Sequence, residues 1–350
     1  MSGAIGNESL SDFSLLSPDL IAESAEAVLG VAVDGTLVRY PSYVNRVYGL
    51  TAVDGRKVIA KFYRPGRWTE EAIREEHAFM AECSAAGLPV PRIIADGEGE
   101  TLSASVAEED SGAERVYFFA LFPFVAGRGW EPEKDDDWIA LGRLIAETHA
   151  VGRRRPASAR PLVHPEKTDA AARLLLDGGF VHPDLRSDFQ EVCAATLERI
   201  APLFRDIPAH RLHGDLHRGN LLRSPGIGAG TADSGTGLAD MALIDFDDMS
   251  TGPAVQDLWL FLPGRLEESR RELGLLLEGY EERLPFDRAQ IELVEPLRFM
   301  RMVGYLAWQA RQRGDAGFLE AFPEWGNRPF WIKEVEDLRD QERIVAEERG

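Results

Sequence analysis

The sequence predicts an α+β chain in two lobes, an antiparallel sheet with a helix followed by a larger, mainly helical part. Three observations predict it. The β-rich runs TLVRYPSYVNRVYGLTA and RKVIAKFYRP are separated by Val53-Asp54-Gly55-Arg56, and Asp-Gly between such runs is a strong hairpin signal. Later segments, among them WIALGRLIAETHAVG and AQIELVEPLRFMRMVGYLAWQARQ, repeat apolar residues every three or four positions, the period of an amphipathic helix. The length, 350 residues, exceeds what one small core organises.

The elements follow in order. Residues 1–15, rich in Ser, Gly and Asn, are expected to be a flexible N-terminus. SPDLIAESAEAVLG has a Ser-Pro start and a Gly stop and reads as the first helix. The two β runs come next, with Lys61 at the end of the apolar strand Val58, Ile59, Ala60. WTEEAIREEHAFMAECSAAG is helical, with Thr69 as N-cap and acidic residues in its first turn. LPVPRIIADGEGETL returns to strand and turn, and RVYFFALFPFVAG is a buried strand ending at Pro123 to Gly127. Helical signals then continue through SDFQEVCAATLERIAPLF and SRRELGLLLEGYEERL to the stripe Leu297 to Trp308, read as core. The sheet-rich start and the helix-rich remainder meet near Phe122 to Val125, so the boundary falls between a first lobe, 16–122, and a second lobe, 123–350. GIGAGTADSGTG, Gly226 to Gly237, looks like a phosphate cradle but lacks the strand-to-helix context and the following lysine; it reads as a hairpin tip.

Composition narrows the function. Apolar residues at 44% and charged residues at 28% describe a folded chain. The formal charge of −20 argues against general nucleic-acid binding, which needs clustered Lys and Arg. No run is long and apolar enough for a membrane span, and MSGAIGNESLSDFSLL is not an export signal, so the expectation is a cytoplasmic monomer without membrane or nucleic-acid partners. Cys83 and Cys193 stand far apart and suggest neither a disulfide nor a thiolate metal site.

The chemistry resides in three separated segments: Lys61, the run His213-Gly-Asp-Leu-His-Arg-Gly-Asn220, and Leu243-Ile-Asp-Phe-Asp-Asp248. Phosphoryl transfer needs a cation on the phosphates, oxygen ligands for Mg²⁺ and a carboxylate near the attacking hydroxyl. Asp215 and Asn220 repeat the D-x-x-x-x-N spacing of kinase catalytic loops, with Gly214 where those have arginine, and Asp245 ends an apolar strand as the Asp of D-F-G does. Few hard oxygen ligands suit Mg²⁺.

HGDLHRGN with LIDFDD resembles the aminoglycoside phosphotransferase and choline kinase-like branch of the protein-kinase fold. Together with SYVNRVYGL, AKFYRPGRWT, EEHAF, GPAVQDLW and EPLRFMRMVGYLAW it is similar to the stress response kinase A (YihE protein kinase) family of bacteria. The resemblance implies a bilobal protein-kinase-like fold, ATP and Mg²⁺, and transfer of the γ-phosphoryl group to Ser or Thr of a protein. It implies Asp215 as catalytic base, Asn220 and Asp245 as Mg²⁺ ligands, Lys61 on the nucleotide phosphates with Glu76, favoured over Glu75, as its partner, and Ser42 in the turn PSYVN as a nucleotide contact. Adenine is expected against Phe119 to Phe122. Asp257 is expected to brace the catalytic loop.

Other readings stand beside this one. The motifs serve a small-molecule kinase acting on an amino alcohol, sugar or antibiotic equally well. A pseudokinase is disfavoured by the intact Lys61, Asp215, Asn220 and Asp245. H-x-D-x-H could ligate zinc, but no second His-rich segment supplies further ligands; His213 reads as packing, His217 as a loop residue, and His149 as a helix-packing histidine. Arg64 and Arg67 read either as an anion site or as an exposed loop, and Asp247 and Asp248 either as a second Mg²⁺ site or as solvated.

Overall fold

The computed structural model describes residues 13–108, 112, 114–224, 241–315 and 317–347. Helix α1 (Pro18–Leu29) is capped by the Ser17 side chain, which accepts from Leu20 N–H, and ends at Gly30. Strands β1 (Val33–Tyr40), β2 (Arg46–Ala52) and β3 (Lys57–Phe62) form an antiparallel meander. Helix α2 (Glu70–Ala85), with Thr69 as N-cap, leads to β4 (Ser103–Glu108) and β5 (Glu114–Pro123), and the five strands order as β1-β2-β3-β5-β4.

Alternation along these strands decides what each face does. Val58, Ala60 and Phe62 join Tyr117, Phe119 and Leu121 under α1 in one core. Lys61, of the opposite parity, faces α2, as do Phe118, Ala120 and Phe122 near Tyr63 and Ile73. The expected adenine wall is corrected accordingly: Phe119 is buried under α1 and stacks on Phe62, whereas Phe122 lines the cleft. Two further expectations change. Phe13 is buried and stacks on Tyr117, so the chain is anchored before residue 15; residues 1–12 lie outside the described residues. The run LPVPRIIADGEGETL supplies only a single bridge, Ile94 to Leu121; the strand follows it, at β4.

Beyond Pro123 come β6 (Arg128–Gly129), α3 (Asp135–Gly152), α4 (Pro165–Asp177) and α5 (Arg186–Ile200). Four short strands follow, β7 (His210–Leu212), β8 (Leu221–Arg223), β9 (Met241–Leu243) and β10 (Ser250–Gly252), then α6 (Gln256–Trp259), α7 (Arg270–Glu281), α8 (Val294–Gln312), α9 (Phe318–Ala321) and α10 (Arg328–Glu347). β8 and β9 pair antiparallel in the order β6-β8-β9, and β10 pairs with β7. The glycine-rich segment Gly226 to Gly237, expected as a hairpin tip, lies outside the described residues. One apolar core joins α3, α7 and the short strands, and a second joins α4, α5, α8 and α10. Cys83 and Cys193 are free and buried, and burial pushes both thiols up to about 12. Among the described residues no helix is long and apolar enough to cross a membrane.

Candidate active site

A cleft of about 490 Å³ opens between the five-stranded sheet and the short strands, and Ser42, Lys61, Phe122, Asn220 and Asp245 all line it. Glu76 lines it too. Lys61 is buried, and its Nζ lies 3.4 Å from Glu76 Oε1, 2.9 Å from Asp245 Oδ1 and 3.5 Å from Asp247 Oδ1. Burial alone would lower its pKa, but the three carboxylates outweigh this and raise it well above the ordinary lysine value, so the ammonium stays charged. Burial raises the Glu76 carboxyl, opposed by Lys61. Tyr63 donates its hydroxyl to Glu76 Oε1 at 3.2 Å. Glu75 points elsewhere and accepts from Ser158 and Ala159 N–H at 2.8 and 2.9 Å.

The segment from His213 to Asn220 is fixed from behind. Both carboxylate oxygens of the fully buried Asp257 accept backbone N–H bonds, from His213 at 2.8 Å and Gly214 at 2.9 Å. His149 Nε2 stands 3.1 Å from the same carboxylate. Gly214 has φ of 86°, and a Cβ there would lie 2.0 Å from the Asp248 carbonyl oxygen, so a kinase-type arginine does not fit at this position. His213 Nε2 bonds the Ile244 carbonyl at 2.9 Å, tying the loop to the residue before Asp245.

Asp215 meets His217 Nε2 at 3.3 Å and Arg301 NH1 at 2.9 Å. Burial pushes its carboxyl up, but the His217 hydrogen bond and the Arg301 guanidinium prevail and hold it well below the usual carboxylate range. It is therefore an acceptor throughout the neutral range. Asn220 donates its amide N–H to the Asp215 carbonyl at 2.9 Å, which turns its own carbonyl oxygen to other use. Asp245, with half its side chain exposed, shares only one oxygen with Lys61. Two hard oxygen donors on one cleft wall, with space for phosphate and water ligands, fit Mg²⁺. The two histidines do not form a zinc set: His213 is committed to Ile244, and His217 Nδ1 accepts from Gly219 N–H. Among the described residues no three His, Cys, Asp or Glu side chains converge on a metal position.

Several expectations are corrected. Arg64 and Arg67 are not an exposed loop: Arg64 is buried and paired with Asp315 at 2.8 Å, and Arg67 reaches Asp247 at 3.2 Å and Asp248 at 2.5 Å. Asp247 is buried rather than solvated. Burial raises its carboxyl, and Lys61, Arg67 and Arg160 more than reverse this and lower it. The stripe Leu297 to Trp308 is core at Leu297, Val303 and Leu306 but not throughout, since Tyr305 is exposed and stacks on Trp308.

Two residues escaped the sequence reading. Arg160 donates to the carbonyls of Met249, Phe246 and Asp247 at 2.8, 3.2 and 2.5 Å, pinning the segment after Asp245. Arg301 sits beside Asp215, its pattern hidden within an apolar helix. No local signal marks Arg160; the spacing of Arg301 from the buried stripe could have marked it as facing outward.

Comparison with known proteins places this geometry. The phosphotransferase enzyme family matches residues 36–294. Stress response kinase A of Salmonella paratyphi A is 35% identical over 97% of both chains, and so is the serine/threonine protein kinase RdoA of Salmonella typhimurium. Among solved structures, an amicoumacin kinase in complex with AMP-PNP, Ca²⁺ and its ligand superposes with a TM-score of 0.68 over 92% of this chain and 93% of the other, at 14% identity. That likeness shows the shared protein-kinase-like fold.

Proposed function

Because the chain belongs to the phosphotransferase enzyme family, within its stress response kinase A group, we propose that it transfers the γ-phosphoryl group of ATP to Ser or Thr hydroxyls of protein substrates in a bacterial stress response. The observation that carries the reading is the meeting, across one cleft, of Lys61 with Asp245 from 184 positions away, with Asp215 on the adjoining loop. The name of the RdoA relative supports a protein acceptor. The fold neighbour that acts on amicoumacin supports a second reading, a small-molecule kinase.

In the proposed reaction Lys61, held by Glu76, binds the nucleotide phosphates, Ser42 contacts them from the β1–β2 loop, and Phe122 packs against the base. Asn220 and Asp245 hold Mg²⁺, which when bound supplies charge neutralisation on the transferring group. Asp215 accepts the proton of the acceptor hydroxyl and orients it, so that the enzyme contributes positioning and electrostatics. We take the lobes as 16–122 and 123–350, with Phe13 packed on the core of the first, and propose that the reaction runs in the cytoplasm with the chain as a monomer.

The test is incubation with labelled ATP and Mg²⁺, with a generic protein acceptor and, separately, amino alcohols and aminoglycosides. Protein labelling that falls at least a hundredfold in Asp215→Ala is expected. Labelling of small molecules alone would sink the protein-kinase reading.

A further inference from the structure

A second groove, of about 230 Å³, opens on the Asp215 side of the catalytic loop, between the segment Leu162 to His164, the first turns of α4 and the side of α8 that carries Leu297, Met300, Arg301 and Gly304. It is continuous with the loop through two side chains. Gln256, one of its walls, donates to the Gly214 carbonyl at 3.1 Å, and Arg301, another, holds Asp215. The Leu162 segment is fixed in turn, because Val163 N–H donates to the Thr251 carbonyl at 2.8 Å and Leu162 bridges Thr251. A residue bound here lies one side chain away from the carboxylate that receives the acceptor proton.

The lining is opposite in sign to the molecule. The chain carries a formal charge of −20, yet the charged or titratable side chains lining this groove are Lys167, Arg301 and His164, with no Asp or Glu among the lining residues. Lys167 is exposed and has no ion-pair partner among the described residues. The acidic residue nearest in sequence, Glu166, is 88% exposed and approaches only His164, at 3.9 Å. Thr168 is 4% exposed and lines the groove, with no hydrogen-bond partner for its hydroxyl among the described residues. Leu162 offers exposed apolar surface at the mouth. The volume falls below the several hundred Å³ of a pocket that encloses a whole small ligand; it suits one or two side chains of a longer chain crossing the surface.

We infer that this groove docks an acidic peptide segment, its Asp or Glu side chain held by Lys167 and the Thr168 hydroxyl, so that the flanking Ser or Thr reaches Asp215. The inference deepens the proposed protein-kinase reading and rests on it. Fields of opposite sign raise association rates and exclude wrong partners more than they add raw affinity, so in an acidic protein a basic groove next to the base selects against cationic acceptors. An aminoglycoside or amino alcohol would meet Lys167 with like charge, since Arg301 is already paired with Asp215.

The experiment uses the full chain and two fluorescent peptides, a serine flanked by glutamates and the same peptide with lysines, read both by anisotropy without turnover and by phosphoryl transfer with ATP and Mg²⁺. The glutamate peptide is expected to bind and to show a kcat/KM about tenfold above the lysine peptide at low salt. Lys167→Glu should raise KM for the glutamate peptide about tenfold while kcat and the KM for ATP stay as in the parent, with Lys167→Arg restoring it. Thr168→Val serves as a second variant, expected to weaken the glutamate peptide severalfold. Equal binding of both peptides, or glutamate-peptide binding indifferent to Lys167→Glu, overturns the groove assignment. Binding that follows the predicted order without transfer to any acceptor overturns the kinase reading and leaves the groove standing.

Discussion

Asp245 is the only non-glycine residue with positive φ among the described residues, at 61°. Aspartate tolerates the left-handed region better than most side chains but still carries strain of order 1 kcal/mol there. The fold accepts this because the conformation turns the carboxylate into the cleft against Lys61. Asp245→Gly should therefore leave the melting temperature unchanged or raise it, while phosphoryl transfer falls at least a hundredfold; calorimetry and a labelled-ATP assay read the two effects separately. Asp215 gives a pH prediction. Its folded pKa is depressed, so the carboxylate stays ionised to pH values below the usual range and the acid limb of kcat/KM lies below the limb an ordinary carboxylate would give. The raised pKa of His217, whose largest cause is its hydrogen bond to Asp215, is the other half of the same contact. In His217→Ala the acid limb should move up toward the ordinary carboxylate range, and a pH profile of unchanged shape would refute this coupling.

At the scale of elements, what the sequence made legible is what periodicity can carry. Both hairpin strands beside Asp54-Gly55, helix α2 with its Thr69 cap and the long helices α3 and α8 each repeat their buried positions often enough to be read. The short strands β6 to β10 are three residues or fewer, too brief for any period, and β4 is an edge strand of small and charged residues whose outer face stays exposed. Packing constraints are equally invisible. A Cβ on Gly142 of α3 would lie 2.0 Å from the Leu276 carbonyl oxygen of α7, so Gly142→Ala, favourable by helix propensity, should instead cost several kcal/mol by forcing the two helices apart, as urea melts will read. Two buried histidines contribute to the acid sensitivity of the fold. Burial first, then nearby cations, lower His77 to about 3, and burial and His149 lower His210 to about 2. Each folded pKa lies below the unfolded value, so the unfolded chain binds more protons and stability falls as pH drops below about 6.5. Between pH 7 and pH 5 the loss should be roughly 2 kcal/mol per histidine, and His77→Gln should flatten its share of the slope.

Across the whole molecule, the candidate site residues were legible because their motifs are local, even though Lys61 and Asp245 stand far apart in sequence. The arginines that hold the parts together were not, since an isolated Arg160, Arg301 or Arg64 acquires its partner only through the tertiary fold. Arg64 makes the point most directly. It follows β3, yet its guanidinium pairs with Asp315, beyond α8, at 2.8 Å, and donates to the carbonyls of Tyr43 and Val44 at 2.8 Å each. One buried side chain thus joins the loop that carries Ser42 to the end of the helix that carries Arg301. Removing one member of a buried pair leaves an uncompensated charge and costs about 3–5 kcal/mol, whereas replacing both by apolar groups can be near neutral. Arg64→Met should lose stability of that order, and Arg64→Met with Asp315→Leu should recover most of it. The double variant still lacks the two hydrogen bonds to Tyr43 and Val44, so the loop over the cleft is released even when stability returns. Its KM for ATP should therefore remain severalfold above that of the parent, with kcat less affected; recovery of KM together with stability would show that Arg64 acts on the fold alone and not on the position of Ser42.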